Sequence, residues 1–189
     1  TPRTLWGGSL YGRIRDWMGM ENVSLLVYDD PALFEEMVET LTECVLEVHR
    51  RCFEQGARIE ACLMWEDMCY SGGPLLSPDH FRRYLVPRYQ RITEQLRRNG
   101  CDVIWVDSDG NIESLIPLWL EGGVNCMFPL EVGTWGLDPV DLRRRYGRDL
   151  LMMGGVGKQL LADSKKQIAA EVDRLAQQRS ARPAPVIPA

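Results

Sequence analysis

Residues 101–111, CDVIWVDSDGN, decide how this chain is read. Four consecutive apolar residues, Val103, Ile104, Trp105 and Val106, run straight into Asp107, Ser108, Asp109, Gly110 and Asn111. A short continuous apolar run closed by turn formers is the pattern of a strand buried on both faces of a parallel sheet. Such sheets carry their ligands at the carboxyl ends of the strands. Asp107 and Asp109 are therefore the first candidates for chemistry.

The same pattern recurs on either side. Residues 59–65 form an apolar run that ends in Glu66 and Asp67; residues 124–130 end at Glu131; residues 150–153 break into Gly154, Gly155 and Val156. Helical periodicity fills the gaps. Over residues 31–55, Phe34, Met37, Leu41, Val45, Val48 and Cys52 recur at three and four, with Asp30 as N-cap, Pro31 at the first helical position and Gly56 as the stop. His49 lies beside that stripe and reads as a surface or core residue, not a ligand. The loop MCYSGGPLLS leads to a second helix over 77–99, where Pro87 predicts a kink. Shorter helices are expected over 112–120 and 138–146, and a last one over 164–178. At the front, a loop and a short helix over 10–18 are expected, and residues 23–28 stand between strand and helix.

Strand and helix alternate with no hairpin signal between neighbouring strands, which predicts a parallel sheet wrapped by helices. Glu66, Asp107, Glu131 and Gly154 follow one another at intervals of 41, 24 and 23 residues. A (β/α)8 barrel averages roughly 31 residues per unit, and a doubly wound sheet fits these intervals nearly as well. With parallel strands, Glu66 and Asp67, Asp107 and Asp109, Glu131 and the turn from Gly154 to Lys158 share one rim. Carboxylates gathered there can act as acids or bases, hold a cation or orient a substrate, and their crowding raises pKa values. The plainer alternative is that each acid merely caps a helix or holds a loop: Asp109 or Asn111 for the helix at 112, Asp67 for its own turn. Tyr70 either lines a pocket or packs. GGVGKQ lacks the first glycine and the final Ser or Thr of a phosphate loop, so nucleotide hydrolysis is rejected; a small anion held with Lys158 remains open.

The chain of 189 residues is 45% hydrophobic and 26% charged, with a formal net charge of −5, an ordinary globular balance that argues against nucleic acid as a partner. Six cysteines without a C-x-x-C pair read as free thiols in a reducing, cytoplasmic setting, and no His or Cys pair has zinc-ligand spacing. No apolar stretch approaches the ~18 residues of a membrane span. The start at Thr1 suggests an excised or processed piece, and the tail over 179–189 is Pro-rich and expected to be disordered.

Assembled, these residues resemble the uroporphyrinogen decarboxylase superfamily, which includes corrinoid-linked methyltransferases. The resemblance is carried by MGMENVSLLVYDDPALFEEM (18–37), WEDMCYSGGPLLSPDHFRRYLVPRY (65–89), WVDSDGNIESLIPLWLEGGVN (105–125), FPLEV (128–132) and YGRDLLMMGGVGKQLL (146–161). It implies a partial (β/α)8 TIM barrel of about four to five βα units over residues 1–178, with 23–28 in a helical connection. It also implies a decarboxylase-like lyase acting without an organic cofactor on a carboxylated, tetrapyrrole-like substrate. Asp107 and Asp109 would bind or protonate the reacting centre, Asp67 and Glu131 would orient it, Lys158 would neutralise a substrate carboxylate, and Glu66, Tyr70, Asn111, Gly154 and Gly155 would complete the binding surface. Two departures stand out. The zinc-binding His-x-Cys pair of the family's methyltransferases falls on Asp107 and Asp109, and the third zinc ligand has no counterpart, so zinc or a corrinoid enters only with the alternative of methyl transfer. The tetrapyrrole-positioning aspartate and arginines of the decarboxylases belong to an earlier part of the barrel than this sequence matches. A further alternative is a non-catalytic half-barrel that pairs through its open sheet edges with another copy or a complementing chain.

Overall fold

The computed structural model of the chain describes residues 3–133, 135–162 and 164–179. β1 (Thr4–Gly8) leads into α1 (Tyr11–Met18), α2 (Met20–Asp29) and the long α3 (Pro31–Glu54) before β2 (Ala61–Trp65). A small hairpin, Cys69–Tyr70 against Gly73–Pro74, precedes a helical segment made of Pro78–His80, a π turn at Phe81–Leu85, and α4 (Val86–Arg98). Then come β3 (Val103–Asp107), α5 (Ile116–Glu121), β4 (Cys126–Leu130), α6 (Pro139–Tyr146), β5 (Leu151–Gly154), a 3-10 turn at Lys158–Ala162, and α7 (Lys165–Arg179).

The five strands lie side by side in chain order, and every neighbouring pair is parallel. This order never reverses, so the sheet has no switch-point crevice of the doubly wound kind. All carboxyl ends fall on one rim, as in a segment of a (β/α)8 barrel. The expected partial barrel is what the chain forms.

Three helix starts use one device: a short polar side chain caps the first turn and a proline follows. Asp30 accepts from Leu33 N at 3.0 Å before Pro31, Ser77 from His80 N at 3.2 Å before Pro78, and Asp138 from Val140 N at 2.7 Å before Pro139. Each cap stabilises its helix by about 1 kcal/mol. Pro87 offers no N–H to the turn before it, and there the helix widens into the π turn.

One face of the sheet packs under the helices: Cys62, Met64, Ile104, Val106 and Met127 are all buried. Gly7 leaves room for that packing, since a Cβ there would stand 2.6 Å from Met64 Sδ. Above it, Trp119 of α5 meets Phe81 edge-on at 5.7 Å and Phe81 stacks on Tyr89 of α4 at 5.9 Å, each pair contributing about 1 kcal/mol beyond its burial. By alternation the other face carries Trp6, Leu63 and Trp105 in one row and Trp65, Asp107 and Phe128 in the next.

The structure corrects the sequence reading at several points. The front of the chain is not simply loop, because Thr4–Gly8 is a strand paired to β2. Residues 23–28, undecided between strand and helix by composition, are helical within α2, as the family resemblance implies. The MCYSGGPLLS loop contains the hairpin, and the helix expected from 112 becomes regular only at Ile116. On α3 the buried row is Phe34, Val38, Thr42, Val45 and His49, while Val48 is 49% exposed. Of the tail expected to be disordered over 179–189, Arg179 closes α7 and the residues from 180 onward lie outside the described residues. Among the described residues no helix is long and apolar enough to cross a membrane.

His49 is thus a core residue, 1% exposed, with its Nδ1 unpaired, and burial pushes its pKa down to about 4. The unfolded chain takes up that proton from about pH 6.5 downward and the folded chain resists it, so stability present above pH 6.5 is lost as the pH falls toward 4. The loss is on the order of 3 kcal/mol at ~1.4 kcal/mol per unit. Urea unfolding should show His49→Leu gaining on the native protein across that window; a constant difference between the two chains would refute the assignment.

Candidate active site

The rim forms where β2, β3 and β4 end together. Register places Trp65 beside Asp107 and Asp107 beside Phe128. The ladder then continues into the loops. Glu66 N and Asp67 N both donate to the Asp107 carbonyl at 2.9 Å, Ser108 N donates to the Phe128 carbonyl at 2.9 Å, and Met68 N donates to Ser108 Oγ at 3.1 Å. Asn111 N donates to the Tyr70 carbonyl at 3.0 Å, tying the β3 loop to the hairpin. Gly110, at φ +85°, lies against that hairpin so closely that a Cβ would stand 2.7 Å from the Cys69 carbonyl carbon. Backbone bonds therefore hold the acids in place.

Glu66 and Asp67 are sequence neighbours with opposite surroundings. Glu66 is fully buried beneath the β1–α1 turn and takes no place on the rim, which corrects its assignment to the substrate surface. Its carboxylate accepts from Leu10 N at 2.8 Å, Gly12 N at 2.8 Å, Tyr89 Oη at 2.6 Å and Ser9 Oγ at 3.4 Å. Burial pushes its pKa up, and these hydrogen bonds pull it only part of the way back. All four partners can donate, so the cradle fits the ionised form. Asp67 turns outward in the left-handed region at φ +41°, a conformation that costs about 1–2 kcal/mol for a residue with a Cβ.

Arg15 of α1 stabilises that turn. Its Nη1 donates to the carbonyl of Asp67 and, at 3.3 Å, to that of Glu66, and stands 3.5 Å from the Asp67 carboxylate. Its guanidinium lies over the Trp65 ring at 5.3 Å. Neither Arg15 nor Trp65 was among the residues singled out from the sequence. The contact spans 52 positions and depends on β1, whose glycine-rich run gave no strand signal.

On the other side of the rim, Glu131 accepts from Gly110 N at 2.9 Å and Trp135 Nε1 at 3.3 Å, and pairs with Lys158 at 2.6 Å. The Lys158 ammonium, first among these partners, holds the Glu131 carboxyl below its ordinary range. Burial, then the charges of Asp109 and Asp67, push the Asp107 carboxyl up. Asp109 is also raised, by burial, Glu131 and Asp67, with Lys158 opposing. Mutual electrostatic influence thus joins Asp67, Asp107, Asp109, Glu131 and Lys158 in one cluster. Asn111 Oδ1 accepts from Glu113 N at 3.3 Å and shapes its own turn; Tyr70 is 55% exposed on the hairpin; Gly155 N binds the Leu130 carbonyl at 2.9 Å beside exposed Gly154.

The aspartates at 107 and 109 supply neither the imidazole nor the thiolate of a zinc centre that activates thiols, so the donor set does not fit that metal. Among the described residues no three His, Cys, Asp or Glu side chains are placed to share one ion. All six cysteines are free thiols, with Cys62, Cys69, Cys101 and Cys126 buried and Cys44 exposed.

Comparison with known proteins agrees with this geometry. The fold resembles a methyltransferase from Methanosarcina mazei with a TM-score of 0.61 at 17% identity, over 94% of this chain and 58% of that one. In sequence the chain is 32% identical over 154 residues to a uroporphyrinogen decarboxylase of Acidiphilium cryptum (strain JF-5), covering 80% of this chain and 40% of that protein. The chain therefore spans about two-fifths of the length of that relative. The family model for uroporphyrinogen decarboxylase (URO-D) matches residues 15–188, and with that match the chain belongs to the URO-D family.

Proposed function

We propose that this chain carries the acidic mouth of a decarboxylase-like lyase that acts on a carboxylated, tetrapyrrole-like substrate, with Asp107 as the proton donor. The observation that carries the reading is the balance of charge at the rim. Asp67 is paired with Arg15 and Glu131 with Lys158, whereas Asp107 and Asp109 have no ion-pair partner among the described residues and both are pushed toward the protonated form. A carboxyl whose pKa is raised, beside a partly open aromatic face, suits a general acid. In the step proposed, the C–C bond to the substrate carboxylate breaks, CO2 departs, and the carbon left with the electron pair takes the Asp107 proton. Water then restores it. Asp67 and Glu131 orient the group, and the sheet face bearing Trp6 (54% exposed) and Phe128 (38% exposed) offers apolar area to a flat ring.

The likeness to the methyltransferase carries the fold and no more, and a carboxylate mouth without thiolate or imidazole favours proton transfer over thiol activation. The free thiols support a cytoplasmic setting. β1 and β5 each pair on one side only among the described residues, and these edges support pairing with a second copy or a complementing chain.

Asp107→Asn should lower release of labelled CO2 from carboxyl-labelled uroporphyrinogen by about 100-fold or more while circular dichroism stays unchanged; undiminished release would end the assignment. Because the acid form is the active one, activity should decline as pH rises through the Asp107 pKa. Asp109→Asn, which removes a neighbouring negative charge, should move that decline to lower pH. Lys158→Ala should raise the carboxyl pKa values of Glu131 and Asp109 in an NMR titration and leave that of Asp107 nearly in place. A shift of all three alike would mean that the charges at the rim are not partitioned as described.

A further inference from the structure

We propose that Arg15 is the residue that takes the substrate's carboxylate, with Trp65 as its stacking platform and Glu66 as the buried residue that positions it. The proposal rests on the lyase reading for the identity of the anion, and on geometry for the rest. The Arg15 side chain is only 14% exposed, yet a single nitrogen, Nη1, carries all of its hydrogen bonds within the described residues. Nε and Nη2 donate no hydrogen bond there, and Nη2 stands 3.7 Å from Asp16 Oδ1. A guanidinium anchored at one corner, stacked on a ring and left with unpaired N–H groups is a planar fork prepared for an acceptor with two oxygens.

Its position fits that role. Trp65, over which it lies, is the register neighbour of Asp107, so an anion on the fork stands beside the proposed proton donor. Lys158, the other cation of the rim, is 80% exposed and pairs with Glu131, whereas Arg15, which pairs with Asp67, is 14% exposed. Arg15 is therefore the more buried of the two cations.

Glu66 acts through Arg15. Its carboxylate binds Gly12 N in the first turn of α1 and Leu10 N just before it, and the Glu66 carbonyl accepts from Arg15 one turn later. The same residue thus fixes both the start of the helix and the side chain that the helix sends back to the rim. Tyr89 of α4 completes the cradle from the far side.

The test uses uroporphyrin, a fluorescent octacarboxylate ring, and the same ring with its acids converted to uncharged glycol esters. The native chain should bind the acid form more tightly than the ester. Arg15→Gln should weaken binding of the acid by about 10- to 100-fold and leave the ester nearly unaffected, and Arg15→Lys should restore part of the preference. Glu66→Gln turns an acceptor into a donor against the α1 N–H groups. In case that chain does not fold, Tyr89→Phe removes one donor and should lower the preference less. No preference in the native chain, or an unchanged preference in Arg15→Gln, overturns the role of Arg15. A Tyr89→Phe chain that melts earlier but discriminates as before overturns the positioning role of Glu66. Carboxylate-selective binding through Arg15 with no CO2 release would sink the lyase reading and leave Arg15 standing.

Discussion

The buried Glu66 carboxylate is the constraint on which the rest of the structure turns. A charge removed from water costs several kcal/mol unless hydrogen bonds replace its hydration, and here the replacements come from the β1–α1 turn and from α4. Neither element can move from β2 without stranding the carboxylate. Gly12 shows how closely they fit, since a Cβ there would stand 2.6 Å from the Glu66 carbonyl oxygen. The cradle fixes the first crossover of the barrel, and the rim begins one residue further on.

That single step separates two kinds of acid. Strand alternation directs Glu66 under the helices, where it meets only donors. The left-handed turn at Asp67 directs the next carboxylate to the rim, where it meets Arg15 and the aspartates of β3. Sequence adjacency of two acids thus yields one structural residue and one rim residue. The rim itself is held by main-chain bonds to Asp107, Ser108 and Asn111, which leaves the Asp107 and Asp109 carboxyls out of the bonds that hold it.

These differences in physics explain what the sequence disclosed. β2 to β5 were legible because each is an apolar run closed by acids or glycines, and α3 and α6 because Asp30–Pro31 and Asp138–Pro139 announce their starts. β1 was not legible: Leu5 and Trp6 are followed by Gly7 and Gly8, and the strand exists because Gly7 lets Cys62 and Met64 pack against it, a tertiary effect with no local trace. The buried row of α3 was misplaced because Thr42 and His49, polar in composition, turn inward and Val48 turns out. At the rim, Asp67, Asp107, Asp109 and Glu131 were found by their position after strands. Glu66 obeys the same rule and lies elsewhere, because the pattern registers where a strand ends and not which face the next side chain takes. Arg15 could emerge only after β1 was placed beside β2.

The two aspartates of β3 are chemically alike and differ in what surrounds them. Both are raised by burial and by neighbouring negative charge, but Asp109 also feels Lys158, which draws it back toward the ionised form, and Asp107 has no such cation among the causes acting on it. A difference in surroundings between paired carboxyls is a basis for giving them different tasks. On the lyase reading the transferred proton is carried by Asp107, beside Trp65, while Asp109 lies near Glu131 and Lys158. A substrate carboxylate entering between Arg15 and Asp107 would then meet one cation and one neutral acid. That is the arrangement in which a net-negative mouth can admit an anion and still hold a proton for the carbon it leaves behind.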